Sequence, residues 1–161
     1  MATIKVGDKV PEATFKYVPY TPELDDGVTT TLSTNEWKGK KVVLFSVPGA
    51  FTPTCHVNHL PPYLKHYDEF KAKGVDVIAV VAANDPFVMS GWARILALSD
   101  VDAKWSKELG LSVDLTGAGL GLGVRTARYA LILDDLTVKY VGVEPERGVT
   151  VSSAEAVLSK L

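Results

Sequence analysis

The chain has 161 residues, 47% hydrophobic and 22% charged, enough for one domain with a buried core and ordinary for a folded protein. Its formal charge of −2, without any dense basic block, speaks against a nucleic-acid-binding surface, and no apolar run nears the roughly 18 residues of a membrane span. One cysteine, Cys55, excludes a disulfide scaffold and a two-cysteine redox cycle within one chain.

Residues Met1 to Asp8 have neither secretory nor transit character. No repeat, low-complexity tract or dividing linker interrupts the chain, so 1–161 is read as one domain. Up to Lys40 the sequence reads as short extended pieces with turns at Val10-Pro11, at 18–22 and at 25–27. The run from Lys41 to Val47 is β-branched and aromatic, as in a strand buried on both faces. Thr52 is then a candidate N-cap before Pro53, opening a helix through Leu60 and Leu64 to about Ala72, with a break expected at Pro61-Pro62 and a stop at Gly74. A second buried strand spans Val75 to Ala83, and a helix is expected after Asn84-Asp85-Pro86. Leu96 to Leu98 reads as a short strand, and Asp102 to Leu109 as a short helix stopped by Gly110. Ala127 to Leu133 and Thr137 to Val143 flank Asp134-Asp135 as a hairpin, and Ser152-Ser153-Ala154-Glu155 opens a last helix. This order implies an α/β protein with a mixed central sheet and helices on both faces, and a thioredoxin-like layout fits it.

Cys55 falls in the first turn of the helix that follows the first buried strand. The partial positive charge of a helix N-terminus favours thiolate over thiol, and strand-to-helix junctions of α/β sheets are where nucleophiles are presented.

Val47-Pro48-Gly49-Ala50-Phe51-Thr52-Pro53-Thr54-Cys55, followed by His59-Leu60-Pro61, resembles the peroxidatic loop of peroxiredoxins. The branch it resembles is the type II or Prx5-like one, marked by Pro-x-x-x-Thr-x-x-Cys. Lys73-Gly74-Val75, Asn84 to Met89, Trp92, Arg128-Tyr129-Ala130 and Val143-Glu144-Pro145 match further family pieces in order. The resemblance implies a thioredoxin-like fold and a thiol-dependent peroxidase of hydrogen peroxide and alkyl hydroperoxides. Cys55 would attack one peroxide oxygen and become a sulfenic acid. Thr52 would bring its hydroxyl near thiolate and peroxide, Pro48 would shield the site from water, and Arg128 would hold the thiolate and polarise the peroxide. Arg125 competes for the role of Arg128. The backbone N–H groups of Thr54 and Cys55 would stabilise charge on the leaving oxygen, an effect worth roughly 3–4 kcal/mol per donor in comparable sites. No metal or organic cofactor is expected, because the thiolate does the chemistry.

Relatives with a resolving cysteine carry it where this chain has Val80 or Ser152, so the chain reads as a one-cysteine form. Its sulfenic acid would need an external thiol: glutathione, glutaredoxin or thioredoxin. The alternative is a peroxide-sensing protein that signals to a partner without sustained turnover. The segment from Trp92 to Leu96 is shorter than the family pattern. His59 is read as ordering the loop or helix. With His56 and His66 it does not complete the four-ligand cluster of a structural zinc, and the alternating glycines from Gly117 to Gly123 read as a surface loop, not a nucleotide cradle. Phe51 and Phe87 are candidate contacts of a homodimer, with Trp92 either there or in the core. Ser159-Lys160-Leu161 matches a peroxisomal address and resembles the ending of one-cysteine peroxisomal peroxiredoxins of yeasts; a cytoplasmic location is the alternative.

Overall fold

A computed structural model describes residues 3–19, 21 and 27–161. The turns expected at 18–22 and 25–27 fall wholly or partly outside the described residues. Strands β1 (Thr14–Tyr17), β2 (Thr30–Ser33), β3 (Lys41–Ser46), β4 (Val77–Ala82), β5 (Leu96–Ser99), β8 (Tyr129–Asp134) and β9 (Thr137–Val143) form one sheet in the order β2-β1-β5-β4-β3-β8-β9. The short strands β6 (Ser112–Asp114) and β7 (Val124–Thr126) pair separately, on either side of the glycine-rich loop. β3, β4 and β5 run parallel, which requires crossover connections, while β1 and β8 join antiparallel to them.

The central strands are rich in β-branched residues because both of their faces are covered. Along β3, Val43 and Phe45 face a core that includes Tyr63, Phe70, Met89 and Val157. Val42 and Leu44 face the opposite core, with Phe15, Trp37 and Trp105. Helices α1 (Leu60–Lys65), α2 (Tyr67–Ala72), α3 (Pro86–Trp92) and α5 (Ala154–Leu158) contribute to the first core, and α4 (Lys104–Glu108) to the second. This is the mixed thioredoxin-like sheet with helices on both faces. Truncating a fully buried ring such as Phe45 to alanine costs about 3–5 kcal/mol.

Three local features differ from the expectations. The break predicted at Pro61-Pro62 is taken up just upstream by a π turn over Cys55–His59, in which the Leu60 N–H bonds back to the Cys55 carbonyl. Both prolines then occupy the start of α1, where a missing N–H costs nothing, and the helix is interrupted again at His66. The helix predicted from Asp102 starts at Lys104, because Asp102 and Ala103 are left-handed (φ 57° and 52°). Asp100 stabilises that kink, its two carboxylate oxygens accepting the N–H groups of Trp105 and Ser106 at 2.9 Å. The β8–β9 turn falls on Asp135-Leu136 rather than Asp134-Asp135, with both residues at positive φ as a tight hairpin turn demands. Asp85 caps α3 by accepting from Phe87 and Val88, and Ser153 caps α5 by accepting from Ala156.

Candidate active site

β3, an interior strand of the sheet beside β4, ends at Ser46, and the chain turns through 47–52 into the helix that carries Cys55. Several bonds hold this turn. Val47 takes part twice, its N–H donating to Val81 and its carbonyl accepting from the Thr126 hydroxyl at 2.8 Å. The Ala50 N–H donates to the Asn84 side chain at 2.9 Å. Phe51 adopts a left-handed φ of 64°, rare for an aromatic residue, which reverses the chain immediately before Thr52.

The helix begins with the bond from the His56 N–H to the Thr52 carbonyl, 2.9 Å. The amides of Thr54 and Cys55 precede it and are among the donors that a helix leaves unsatisfied at its start. The Thr52 hydroxyl neither caps the helix nor bonds Cys55. It donates to the Gly49 carbonyl at 2.7 Å, closing the turn on itself.

Cys55 is fully buried, and the Nη2 group of Arg128 donates to its Sγ at 3.1 Å. Arg128 lies between β7 and β8, and β8 pairs with β3, so adjacent strands deliver cysteine and guanidinium to one end of the sheet. Of the two arginines considered, Arg128 is the one at the sulfur. Arg125 donates through Nε to the Leu122 carbonyl at 2.7 Å, with its Nη1 on the Pro48 carbonyl at 3.5 Å. Pro48, Thr52, Thr54 and Arg128 line one cleft of about 530 Å³, together with Leu120 and Arg147.

A second layer supports Arg128. Its Nη1 donates to His59 Nδ1 at 3.0 Å, while His59 Nε2 lies 2.9 Å from the Ser152 carbonyl. Burial pushes the His59 imidazolium down to about 4, the Ser152 carbonyl partly offsetting this and the Arg128 charge adding to it. His59 is therefore neutral at pH 7, with its proton on Nε2 and its Nδ1 lone pair toward the guanidinium. The Tyr63 hydroxyl donates to the same Ser152 carbonyl at 2.7 Å, and its ring stacks on Phe45 with centroids 3.8 Å apart. Ser152 is in turn held by Glu144, the residue that follows β9.

The three histidines have separate partners. His56 accepts from the Trp92 indole at 3.0 Å, His59 joins Arg128 to Ser152, and His66 pairs with Glu69 and Glu155. Among the described residues no three His, Cys, Asp or Glu side chains converge on a metal-sized point. Phe51 and Phe87 are both more than half exposed, whereas Trp92 is packed in the core. Sequence reasoning missed Tyr63, Ser152 and Glu144 as parts of the site. Two signals touched them: Val143-Glu144-Pro145, noted for its match and not for a role, and Ser152, noted as a place where relatives carry a resolving cysteine.

A reactive-cysteine turn closed by an arginine, at one end of a mixed sheet, defines a thiol redox protein of the thioredoxin-like class. Residues 5–158 match the Redoxin family, and the chain belongs to that family, in its peroxiredoxin branch. A Malassezia furfur protein described as a peroxiredoxin is 49% identical over 172 residues, covering 98% of this chain and 100% of the relative. Peroxiredoxin-2B of Arabidopsis thaliana is 42% identical over 168 residues and all of both chains. Reduced Prx3 of Vibrio vulnificus, solved in complex with hydrogen peroxide, is 43% identical, covers 98% of this chain and 95% of its own, and superposes with a TM-score of 0.86. Aligning all 161 residues over 168 positions leaves at least seven (168 − 161) positions without a counterpart in this chain. In the structure, Ala93 to Ile95 join α3 to β5 directly.

Proposed function

We propose that the protein is a thiol-dependent peroxidase whose nucleophile is Cys55. The observation that carries this reading is the Arg128 guanidinium 3.1 Å from a cysteine sulfur in the first turn of a helix, beside an open cleft. The thiolate attacks the terminal oxygen of a hydroperoxide, so an S–O bond forms as the O–O bond breaks. Cys55 leaves as sulfenic acid, and the departing alkoxide or hydroxide takes a proton from solvent. Arg128 stabilises the thiolate before the step and the charge on oxygen during it. The amides of Thr54 and Cys55 supply donors at the same end of the cleft. Pro48 shields the sulfur from water, and Thr52 sets the turn that presents it.

With one cysteine in the chain, the sulfenic acid is recycled from outside. One thiol condenses with it, releasing water and leaving a mixed disulfide; a second thiol displaces Cys55 and carries away the disulfide. Glutathione, glutaredoxin and thioredoxin are the candidate reductants. The test is turnover of hydrogen peroxide and an alkyl hydroperoxide with each reductant in turn, beside Cys55→Ser. Sustained consumption by the Cys55→Ser protein, or none by the parent with any thiol, overturns the proposal.

Two further readings accompany it. Exposed Phe51 and Phe87 support a homodimer through the face beside the cleft, and Phe51→Ser with Phe87→Ser then yields monomer in analytical ultracentrifugation. Ser159-Lys160-Leu161 supports a peroxisomal address, and a tagged protein with Leu161→Glu then remains in the cytoplasm.

A further inference from the structure

We propose that Glu144 is a positioning residue for the reaction at Cys55, acting through Ser152 and His59 on Arg128; the inference rests on the peroxidase reading above. Glu144 has no bond to the sulfur. Its carboxylate instead gathers the segment that follows it. Oε1 accepts the Thr150 N–H at 2.6 Å and both the N–H and the hydroxyl of Ser152 at 2.8 Å, and Oε2 accepts the Thr150 hydroxyl at 2.6 Å. Ser152 is thereby held through its backbone and its side chain at once, in a buried setting. The Glu144 N–H also donates to the Arg128 carbonyl at 3.0 Å, so the two ends of the relay are tied through the backbone as well.

Fixing Ser152 determines where its carbonyl oxygen points. That oxygen accepts from His59 Nε2 at 2.9 Å and from the Tyr63 hydroxyl at 2.7 Å. A neutral imidazole has one N–H, and the carbonyl claims it for Nε2. Nδ1 is then an acceptor for Arg128 Nη1, leaving Nη2 directed at the sulfur. If the Ser152 carbonyl moved, the other tautomer would set an N–H against the guanidinium N–H groups, and Arg128 would have to turn away. The relay therefore carries orientation from a carboxylate at the end of β9 to the nucleophile.

The carboxylate must be ionised to accept four bonds. Burial opposes this, but the hydrogen bonds from Thr150 and Ser152 outweigh it and hold the Glu144 carboxyl below its ordinary range. The titratable groups whose ionisation it influences are His59, Tyr63 and Tyr140. Tyr140 also anchors the segment independently, its hydroxyl donating to the Val151 carbonyl at 2.6 Å, so the segment keeps a tether when Glu144 is altered.

The experiment compares Glu144→Gln, Glu144→Asp and the parent protein. Two rates are read at fixed pH: alkylation of Cys55 by iodoacetamide, and stopped-flow oxidation by hydrogen peroxide. Circular dichroism checks that each variant is folded. A positioning role predicts that Glu144→Gln slows both rates about tenfold, with partial recovery in Glu144→Asp. A mere structural brace predicts the reverse for alkylation, since a loosened site exposes a buried cysteine and speeds it. Alkylation that is unchanged or faster in folded Glu144→Gln overturns the proposal. If Glu144→Gln does not fold, Thr150→Val, which removes one bond to Oε2, decides on the same criterion with a smaller expected slowing. Alkylation needs no peroxidase activity, so a parent protein inert toward peroxide would sink the peroxidase reading while this measurement still decides the relay.

Discussion

Arg128 and His59 share a hydrogen bond in which a guanidinium is the donor and a neutral imidazole the acceptor, at 3.0 Å. Among the described residues no carboxylate pairs with Arg128 within 4.0 Å. The cation is thus oriented without being neutralised, and its charge is left to act on Cys55.

Arg128→Lys keeps the charge but loses the fork that serves Nδ1 and Sγ together. We expect the second-order rate with hydrogen peroxide to fall by about a hundredfold, while the unfolding midpoint moves little. Stopped-flow kinetics over a range of peroxide concentrations gives the rate directly. A lysine variant as fast as the parent would show that charge alone suffices.

The depressed value of His59 makes stability depend on pH. The folded state keeps this imidazole neutral down to about 4, whereas the unfolded chain protonates it near 6.5. Between these values the unfolded state binds more protons, so stability falls as the pH is lowered from 6.5 to about 4. The loss from this group amounts to about 3 kcal/mol when complete. Urea unfolding at pH 7.0, 5.5 and 4.5 should show the decline, and His59→Gln should flatten it. An equal slope in both proteins would assign the decline to other groups.

Gly142 lies where β9 passes under the segment that ends at Ser152. A Cβ there would collide with the Val151 carbonyl oxygen and come within 2.6 Å of the Tyr140 hydroxyl. Gly142→Ala is therefore expected to lose roughly 1–3 kcal/mol by overpacking, and to slow peroxide reduction because Ser152 is displaced with Val151. Thermal unfolding beside turnover tests both parts; a variant of normal stability shows that the strand can move aside.

The Thr52 hydroxyl closes the catalytic turn on the Gly49 carbonyl. Thr52→Val removes that bond at similar volume and should cost about 1 kcal/mol, with a slower reaction at Cys55. Thr52→Ser keeps the hydroxyl and should restore the greater part of both. A valine variant as stable and as fast as the parent would show that the hydroxyl is dispensable.

The sheet and its two cores were legible because Lys41 to Val47 and Val75 to Ala83 are apolar runs bounded by Pro, Gly and Asn. Cys55 stood out through its place after such a strand, and Arg128 through the resemblance of Arg128-Tyr129-Ala130. That resemblance favoured Arg128 over Arg125, and the structure agrees in placing Arg128 at the sulfur and Arg125 on the Leu122 carbonyl. The π turn at Cys55–His59 has no periodicity of its own, because it depends on a carbonyl bonded five residues on. Asp102 and Ala103 carry no turn signature either; the kink is set by the carboxylate of Asp100. Glu144 was invisible as a site residue for a related reason, as it acts on amides and hydroxyls six and eight residues away.

Cys55 exposes none of its surface, so reagents are sorted by girth before any chemistry begins. A hydroperoxide arrives with a slender two-atom head, while a thiol borne on a folded protein is too broad to follow it to the sulfur. With the sulfur fully covered, even a small oxidant needs the lining to yield a little, and a protein-borne thiol needs it to yield far more. Oxidation and repair at one sulfur thereby place unequal demands on the same short turn.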